Sequence, residues 1–435
     1  MQHNKSFKLI LILILSLFLT TGCYNKKELD NLAYVIGLGA DIGSGDNLEI
    51  TYQIAIPLKV SSNEGKTGEE NFTTYTVSAP SLYVGNSKVN ALTSKEVNLS
   101  HVKLIVYSEE MAKNDLSGHI NSLISDVSIR PKTTVAICKN SAKDFLKNIT
   151  PDLESSPARY YELLFTSQNH TNESAKSELI DFYTATTSIE RDSAIILLSN
   201  KKSGDDSSTS KKAGNSSDSQ NSTGGSSESQ NSTGGSSENQ NSQGSSSSEG
   251  DKENSQKKFS GLAVFKGSKM VGEIPQDLIM SHLILTNELR HGDITVYDAK
   301  ENGKLASIFL KQEKKCKYDV TMKNNIPEID IKIKLTGHLR SSTSTTDYLD
   351  KKNKNILTSN IEKEIKTLVE EYIKMTQSYN ADTAGIGRYV KQKFLTWEEF
   401  ENLKWNELYE KVKINVDVDV DLNVSRVIFH RVSNI

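Results

Sequence analysis

Few residues in this chain stand at spacings that could do chemistry. His101, His119, His170, His282, His291, His338 and His430 are scattered. No two of them form the H-E-x-x-H arrangement that would bring two imidazoles onto one helix face around zinc. No serine lies in a G-x-S-x-G turn. Asp417, Asp419 and Asp421 alternate as calcium-loop ligands do. However, Leu422 stands where that loop needs glycine, and no glutamate follows at the twelfth place. They read as the solvated face of a strand that also discourages edge pairing. Gly385 and Gly387 could cradle a phosphate at a helix start. No strand leads directly into them as a phosphate loop requires, so a turn between packed helices is the plainer reading. No catalytic constellation emerges, and neither metal nor cofactor is expected. The thiol best placed for chemistry is Cys23, at the end of an apolar run.

Lys5 and Lys8 make a short basic start, Leu9–Leu19 is apolar but for Ser16, and Thr20, Thr21 and Gly22 lead into Cys23. That is the form of a secretory signal peptide. The run is too short to span a bilayer, which takes about 20 apolar residues. The approach to Cys23 resembles a bacterial lipobox, with Thr20 where leucine is commonest. The resemblance implies a diacylglyceryl cysteine, with acyl chains such as palmitate, as the first mature residue. Two chains on one residue anchor stably where one would be marginal. An uncleaved anchor, or an ordinary cut with Cys23 incidental, is the plainer alternative.

The residues that follow resemble the start of a mature Ger(x)C protein, the C subunit of GerA-type nutrient receptors of bacterial spores. Glu28, Leu29, Ala33, Val35, Gly37, Gly39 and Asp41 fit the family pattern, while Tyr24 and Asn25 depart from its Trp and Asp. On their own physics these residues make a helical turn at Lys26–Leu32 and a strand at Ala33–Leu38. The two glycines would allow close backbone approach.

Those elements belong to a chain of 435 residues, long enough for two or three domains. A net charge of −3 gives no basic excess that would suggest nucleic acid as a partner. Residues 1–22 read as the signal peptide, 23–199 as an N-terminal α+β domain, 200–257 as a linker and 258–435 as a C-terminal α+β region. A subdivision is entertained near 340–355. The linker is rich in Ser, Gly, Asn and Gln. Its unit NSTGGSSESQ at Asn221 recurs as NSTGGSSENQ at Asn231. Such a stretch has too little apolar surface to offset its ordering entropy and is expected to be disordered. Cys138 and Cys316 sit in strand-like runs, and two buried thiols are a plainer expectation than a disulfide.

In the first region, Leu48–Ile56 alternates as a half-buried strand, and Val102–Tyr107 and Thr133–Cys138 are compact apolar strands. Helices are expected at Ser81–Leu92, after Ser108, and over Ala142–Ile149. Another carries Ile120, Leu123, Ile124 and Val127 on one face. Tyr160–Phe165 and Leu179–Thr186 read as helices and Ala194–Leu198 as a strand. Beyond the linker come a hairpin about Lys266–Lys269 and a helix over Asp277–Arg290. Strands follow at Ile294–Tyr297, Leu305–Leu310, Tyr318–Met322 and Ile329–Leu335. Ser359-Asn360-Ile361-Glu362 reads as the capping box of a long helix, and Thr396-Trp397-Glu398-Glu399 as that of a second. The chain closes with a strand at Val412–Val424. The fold class is α+β, with mixed or antiparallel sheets packed with helices.

Asp382, Gly385 and Gly387 resemble the Ger(x)C D-x-x-G-x-G segment, with Trp397 placed as the family's downstream Trp. The resemblance implies a non-enzymatic lipoprotein on the outer face of the spore inner membrane. Its implied partners are a membrane A subunit and a transporter-like B subunit. A solute-binding lipoprotein of a transporter is the alternative, with a lipidated hydrolase behind it. Against the alternative, the strands alternate as antiparallel ones do. No cluster of aromatic and charged residues marks a small-molecule pocket.

Overall fold

The computed structural model describes residues 28–56, 71–149, 157–166, 171–200, 257–298 and 300–425, with residues 7 and 154 besides. Cys23 and the rest of the leader lie outside these, as do the ten-residue repeats.

The first sheet is built from β1 (Leu32–Ile42), β2 (Leu48–Ala55), β3 (Phe72–Ala79), β4 (Glu96–Asn98), β5 (Leu104–Ser108), β6 (Thr134–Cys138), β7 (Ala194–Asn200), β8 (Lys257–Lys266) and β9 (Lys269–Pro275). Among the described residues their order is β3-β2-β1-β5-β6-β7-β8-β9, with β4 beside the start of β1. The inner strands β1, β5, β6 and β7 run parallel, as does the short β4 beside β1, and the remaining pairs are antiparallel. The expectation that the strands alternate as antiparallel ones do is therefore corrected at the sheet's centre. LIVYS, TVAIC and AIILL are near-continuous apolar runs because helices cover both faces. Helices Leu82–Thr93, Ser117–Ser125 and Leu179–Thr186 bury Val89, Ile120, Leu123 and Phe182 on one face. Helices Ala142–Lys147 and Pro157–Thr166 bury Phe145, Leu146, Tyr161 and Phe165 on the other. Val127 was expected on the face of Ile120. The helix ends at Ser125, and Val127 is fully exposed.

The hairpin β8–β9 belongs to this sheet although it follows the low-complexity stretch, and β8 pairs with β7 from Ala194 and Val264 out to Asn200 and Lys257. Alternate residues of β8 face different cores. Ala263 and Phe265 join the first sheet's core, while Leu262 and Val264 join the core of the second sheet. The described residues on the two sides of the stretch form one compact unit.

The second sheet consists of β10 (Gly292–Tyr297), β11 (Leu305–Lys311), β12 (Lys317–Lys323), β13 (Ile326–Ser342) and β14 (Lys413–Asn423). β13 is long enough to pair with β12 along its first half and β11 along its second, and β14 lies parallel on its other side. Ile329, Ile331, Ile333 and Leu335 are buried, with Asp330, Lys332 and Lys334 exposed between them. In the same core lies the stripe Leu357, Ile361, Ile365, Val369 and Tyr372 of a helix over Lys351–Ser378. Full burial of each such aliphatic side chain is worth about 1.5–3 kcal/mol. That helix starts at Asp350, whose carboxylate accepts from the Asn353 N–H at 3.0 Å. Ser359, expected as its cap, lies well inside it, because the polar run KKNKNILT is already helical. The helix expected over Asp277–Arg290 is also shorter, covering Ile279–Thr286. It stops where Asn287 takes a left-handed φ of 63°. The subdivision entertained near 340–355 meets no gap in the core, since Leu339, Tyr348 and Leu357 share one cluster.

Candidate functional site

In β1, Gly37, Gly39 and Asp41 fall two residues apart and so share a face. Helix Ala142–Lys147 lies on that face. A Cβ on Gly39 would stand 2.9 Å from Leu146 Cδ1 and 3.3 Å from Ala142 Cβ, and one on Gly37 would stand 3.0 Å from Leu146 Cδ2. Asp41 accepts the Ala142 and Lys143 backbone N–H groups at 2.8 and 2.9 Å, and the Ser141 hydroxyl at 3.2 Å. It thus meets the positive end of the helix. At the other end, the buried Gln53 amide donates to the Leu146 carbonyl at 2.9 Å, and Tyr161 donates to Gln53 Oε1 at 2.8 Å. The motif is a seat for one short helix. Glu28 stands apart from it, exposed, with its carbonyl accepting from Asn31 at 3.1 Å.

The second motif forms a buried polar hub. Asp382 accepts from the backbone N–H groups of Ile386 at 2.9 Å and Gly387 at 2.7 Å, and from the Trp405 indole N–H at 3.0 Å. Those are the N–H groups a phosphate would have needed, and Asp382 occupies them. Gly385 has φ 68°, a region glycine enters freely. A Cβ on Gly387 would run into the Trp405 indole and the Glu190 carbonyl. Asp382 and Asp192 are joined reciprocally. The Asp382 N–H donates to Asp192 Oδ2 at 3.0 Å, and the Asp192 N–H donates to the Asp382 carbonyl at 2.9 Å. Asp192 also accepts from the Gly267 N–H at 3.1 Å. Lys266 Nζ stands 4.0 Å from Asp192 and donates to the Asn406 carbonyl at 2.6 Å and to that of Asn380. The hub therefore ties the approach to β7, the β8–β9 turn and the second core together.

Burial pushes the Asp382 carboxyl up to about 6, against the pull of its three donors. Burial raises Asp192 too, with Lys266 opposing. Beside the hub, Tyr372 bridges His282 Nδ1 and the Thr383 hydroxyl at 2.7 Å each. Burial pulls His282 down to about 4, so it is a neutral packed residue at physiological pH. Cys138 lies in β6 and Cys316 just before β12. Both are buried and no disulfide joins them. Burial pushes the Cys316 thiol up to about 11. Asp417, Asp419 and Asp421 are exposed on β14, and Asp419 pairs with Lys334 at 2.6 Å. Among the described residues no group of three or more His, Cys, Asp or Glu could hold a metal ion. None of their helices is long and apolar enough to cross a membrane.

Two clefts open on the first sheet. One, of about 250 Å³, lies over β1, β2 and β5, between helices Leu82–Thr93 and Ser117–Ser125. The other, of about 270 Å³, includes Lys103, Arg130, Lys132 and Lys176 among its walls. The apolar first cleft carries no charged-aromatic cluster, so the sequence left no signal for it.

A family model described as "Spore germination protein N-terminal domain" matches residues 25–199. A second, described as "Spore germination B3/ GerAC like, C-terminal", matches residues 260–426. The chain belongs to the Ger(x)C family of spore germination proteins. It is 20% identical to YfkR of Bacillus subtilis (strain 168) over 435 residues, 98% of this chain and 99% of that one. To spore germination protein GerQC of Bacillus cereus it is 20% identical over 421 residues, 94% of this chain and 95% of that one. To spore germination protein A3 of Bacillus subtilis (strain 168) it is 26% identical over 156 residues, 35% of this chain and 41% of that one. The crystal structure of the GerBC protein matches at a TM-score of 0.50 and 14% identity, covering 92% of this chain and 99% of that one. That likeness shows a shared α+β fold. Ger(x)C is not a known enzyme family. Within this Ger(x)C chain, Trp397 is 48% exposed, with Lys391 Nζ 4.3 Å from its ring. The Trp that meets Asp382 is Trp405, which no cap or period marks in the sequence.

Proposed function

We propose that this chain is the lipid-anchored, non-catalytic subunit of a spore nutrient receptor. In this reading Cys23 tethers it to the outer face of the spore inner membrane. There it works beside an A membrane subunit and a transporter-like B subunit. The observation that carries the reading is the pair of spore-germination matches, 25–199 and 260–426, behind a leader that ends in a lipobox-like cysteine. The motif residues support a scaffold. Asp41 and Asp382 turn their carboxylates to the chain's own N–H groups, and Gly37, Gly39 and Gly387 make room for its own side chains. Spores lacking the protein are expected to lose the response to the cognate nutrient and to keep responding to treatments that bypass receptors. A normal nutrient response without it, in spores with no redundant receptor, would overturn the reading.

The second cleft, with Lys103, Arg130, Lys132 and Lys176 among its walls, favours a second reading, a solute-binding lipoprotein feeding a transporter. Calorimetry with amino acids, sugars and nucleosides separates the two. The receptor reading expects no specific heat from the isolated chain, and micromolar binding would support the second.

A further inference from the structure

The helices Leu82–Thr93 and Ser117–Ser125 leave a gap above β1, β2 and β5. Its floor is Leu38, Ile50 and Ile105, each no more than 4% exposed, with Tyr107 beside them. Its rim on the second helix carries Gly118 and His119. Two polar groups on these walls lack partners among the described residues. The Tyr107 hydroxyl makes no hydrogen bond although the residue is only 3% exposed, and the His119 ring makes none either. The Tyr107 oxygen is not sealed from solvent as those of the buried unpaired groups are, and it stands on the wall of the gap, so an acceptor entering the gap can take its proton. Burial lowers His119 below the usual imidazole range, against the pull of Asp115, and a neutral ring offers one donor and one acceptor. No carboxylate, Lys or Arg lines the gap.

We infer that this cavity binds a small neutral molecule, mostly apolar, with one hydrogen-bond acceptor that takes the Tyr107 proton. An apolar body fills the floor and excludes water from it. A zwitterion, an ion or a sugar would leave buried polar groups unpaired and is rejected. The inference does not rest on the receptor reading, since it follows from the walls alone.

The test uses the whole mature chain in lipid nanodiscs, with empty nanodiscs as the blank. The probe is 4-fluoroacetophenone, followed by fluorine NMR line broadening. Toluene tests the acceptor, and alanine and glucose test polarity. Gly118→Leu should fill the gap without a clash, because a Cβ there meets no atom within 4 Å. Saturable broadening is expected in the wild type and should be lost in Gly118→Leu. Tyr107→Phe should weaken it roughly 2- to 10-fold, the range for one hydrogen bond. Toluene should compete less well than acetophenone, and alanine and glucose not at all. No saturable broadening, or equal broadening in Gly118→Leu, would overturn the site. An unchanged Tyr107→Phe would overturn the acceptor assignment, and competition by alanine or glucose the apolar class. Should Gly118→Leu unfold, Tyr107→Phe and the competitors still decide the matter.

Discussion

Trp405 donates its indole N–H to the Asp382 carboxylate at 3.0 Å, with both side chains buried. Trp405→Phe keeps most of the packing and removes one of three donors from a buried carboxylate. A loss of about 1–3 kcal/mol is expected in urea unfolding. Trp397→Phe, at an exposed ring, should stay within about 0.5 kcal/mol. Equal losses would show that the indole N–H is not what distinguishes the two positions.

Asp382 also makes stability depend on pH. Its carboxyl is raised from 3.8 to about 6, chiefly by burial. Between those values the folded chain holds a proton that the unfolded chain has lost. The group's contribution is fully present below 3.8 and disappears as pH rises through about 6. Asp192, raised by burial, acts in the same direction. The effect is on the order of 3 kcal/mol. The stability gap between wild type and Asp382→Asn should therefore narrow from pH 4 to pH 7 in urea titrations. A gap that widened would contradict the sign.

The helix seat on β1 predicts an ordered pair of losses. Asp41→Ala removes the acceptor of two backbone N–H groups and should cost about 1–2 kcal/mol. Gly39→Val forces atoms into Leu146 and Ala142 and should cost about 1–3 kcal/mol by overpacking. Thermal unfolding measures both. Wild-type stability in Gly39→Val would mean the helix shifts freely.

Membrane retention should depend on Cys23. Cys23→Ala should sharply reduce it, because in the lipid-anchored reading two acyl chains on that residue supply the apolar burial. A labelled lipid precursor should enter the wild type alone. Equal labelling of the variant would rule out attachment at Cys23.

Asn200 and Lys257 are cross-strand partners at the ends of β7 and β8. Deleting Ser207–Ser248 should therefore leave folding stability nearly unchanged, since closure cost varies by only about 0.6 kcal/mol per doubling of loop length. A large drop in thermal stability would show that the deleted residues pack on the unit.

What the sequence determined by itself is local. The period-two pattern of Ile329–Leu335 and Val412–Val424 set out the two strands that pair along β13 and β14. The box Thr396–Glu399 placed a helix start, with both of its hydrogen bonds formed. The spacing of Gly37, Gly39 and Asp41 was enough to put them on one face. Each of these follows from backbone geometry within a few residues. What only the tertiary structure decided lies across long separations. It chose helix Ala142–Lys147 for the β1 seat, Trp405 rather than Trp397 for Asp382, Asp192 as that residue's reciprocal partner, and the first sheet for the hairpin β8–β9. It also left a gap beside Tyr107 between two helices. The physical reason is that a period or a cap shows which face must be covered, while the choice of cover depends on shapes and hydrogen-bond donors brought together by the folding of the whole chain.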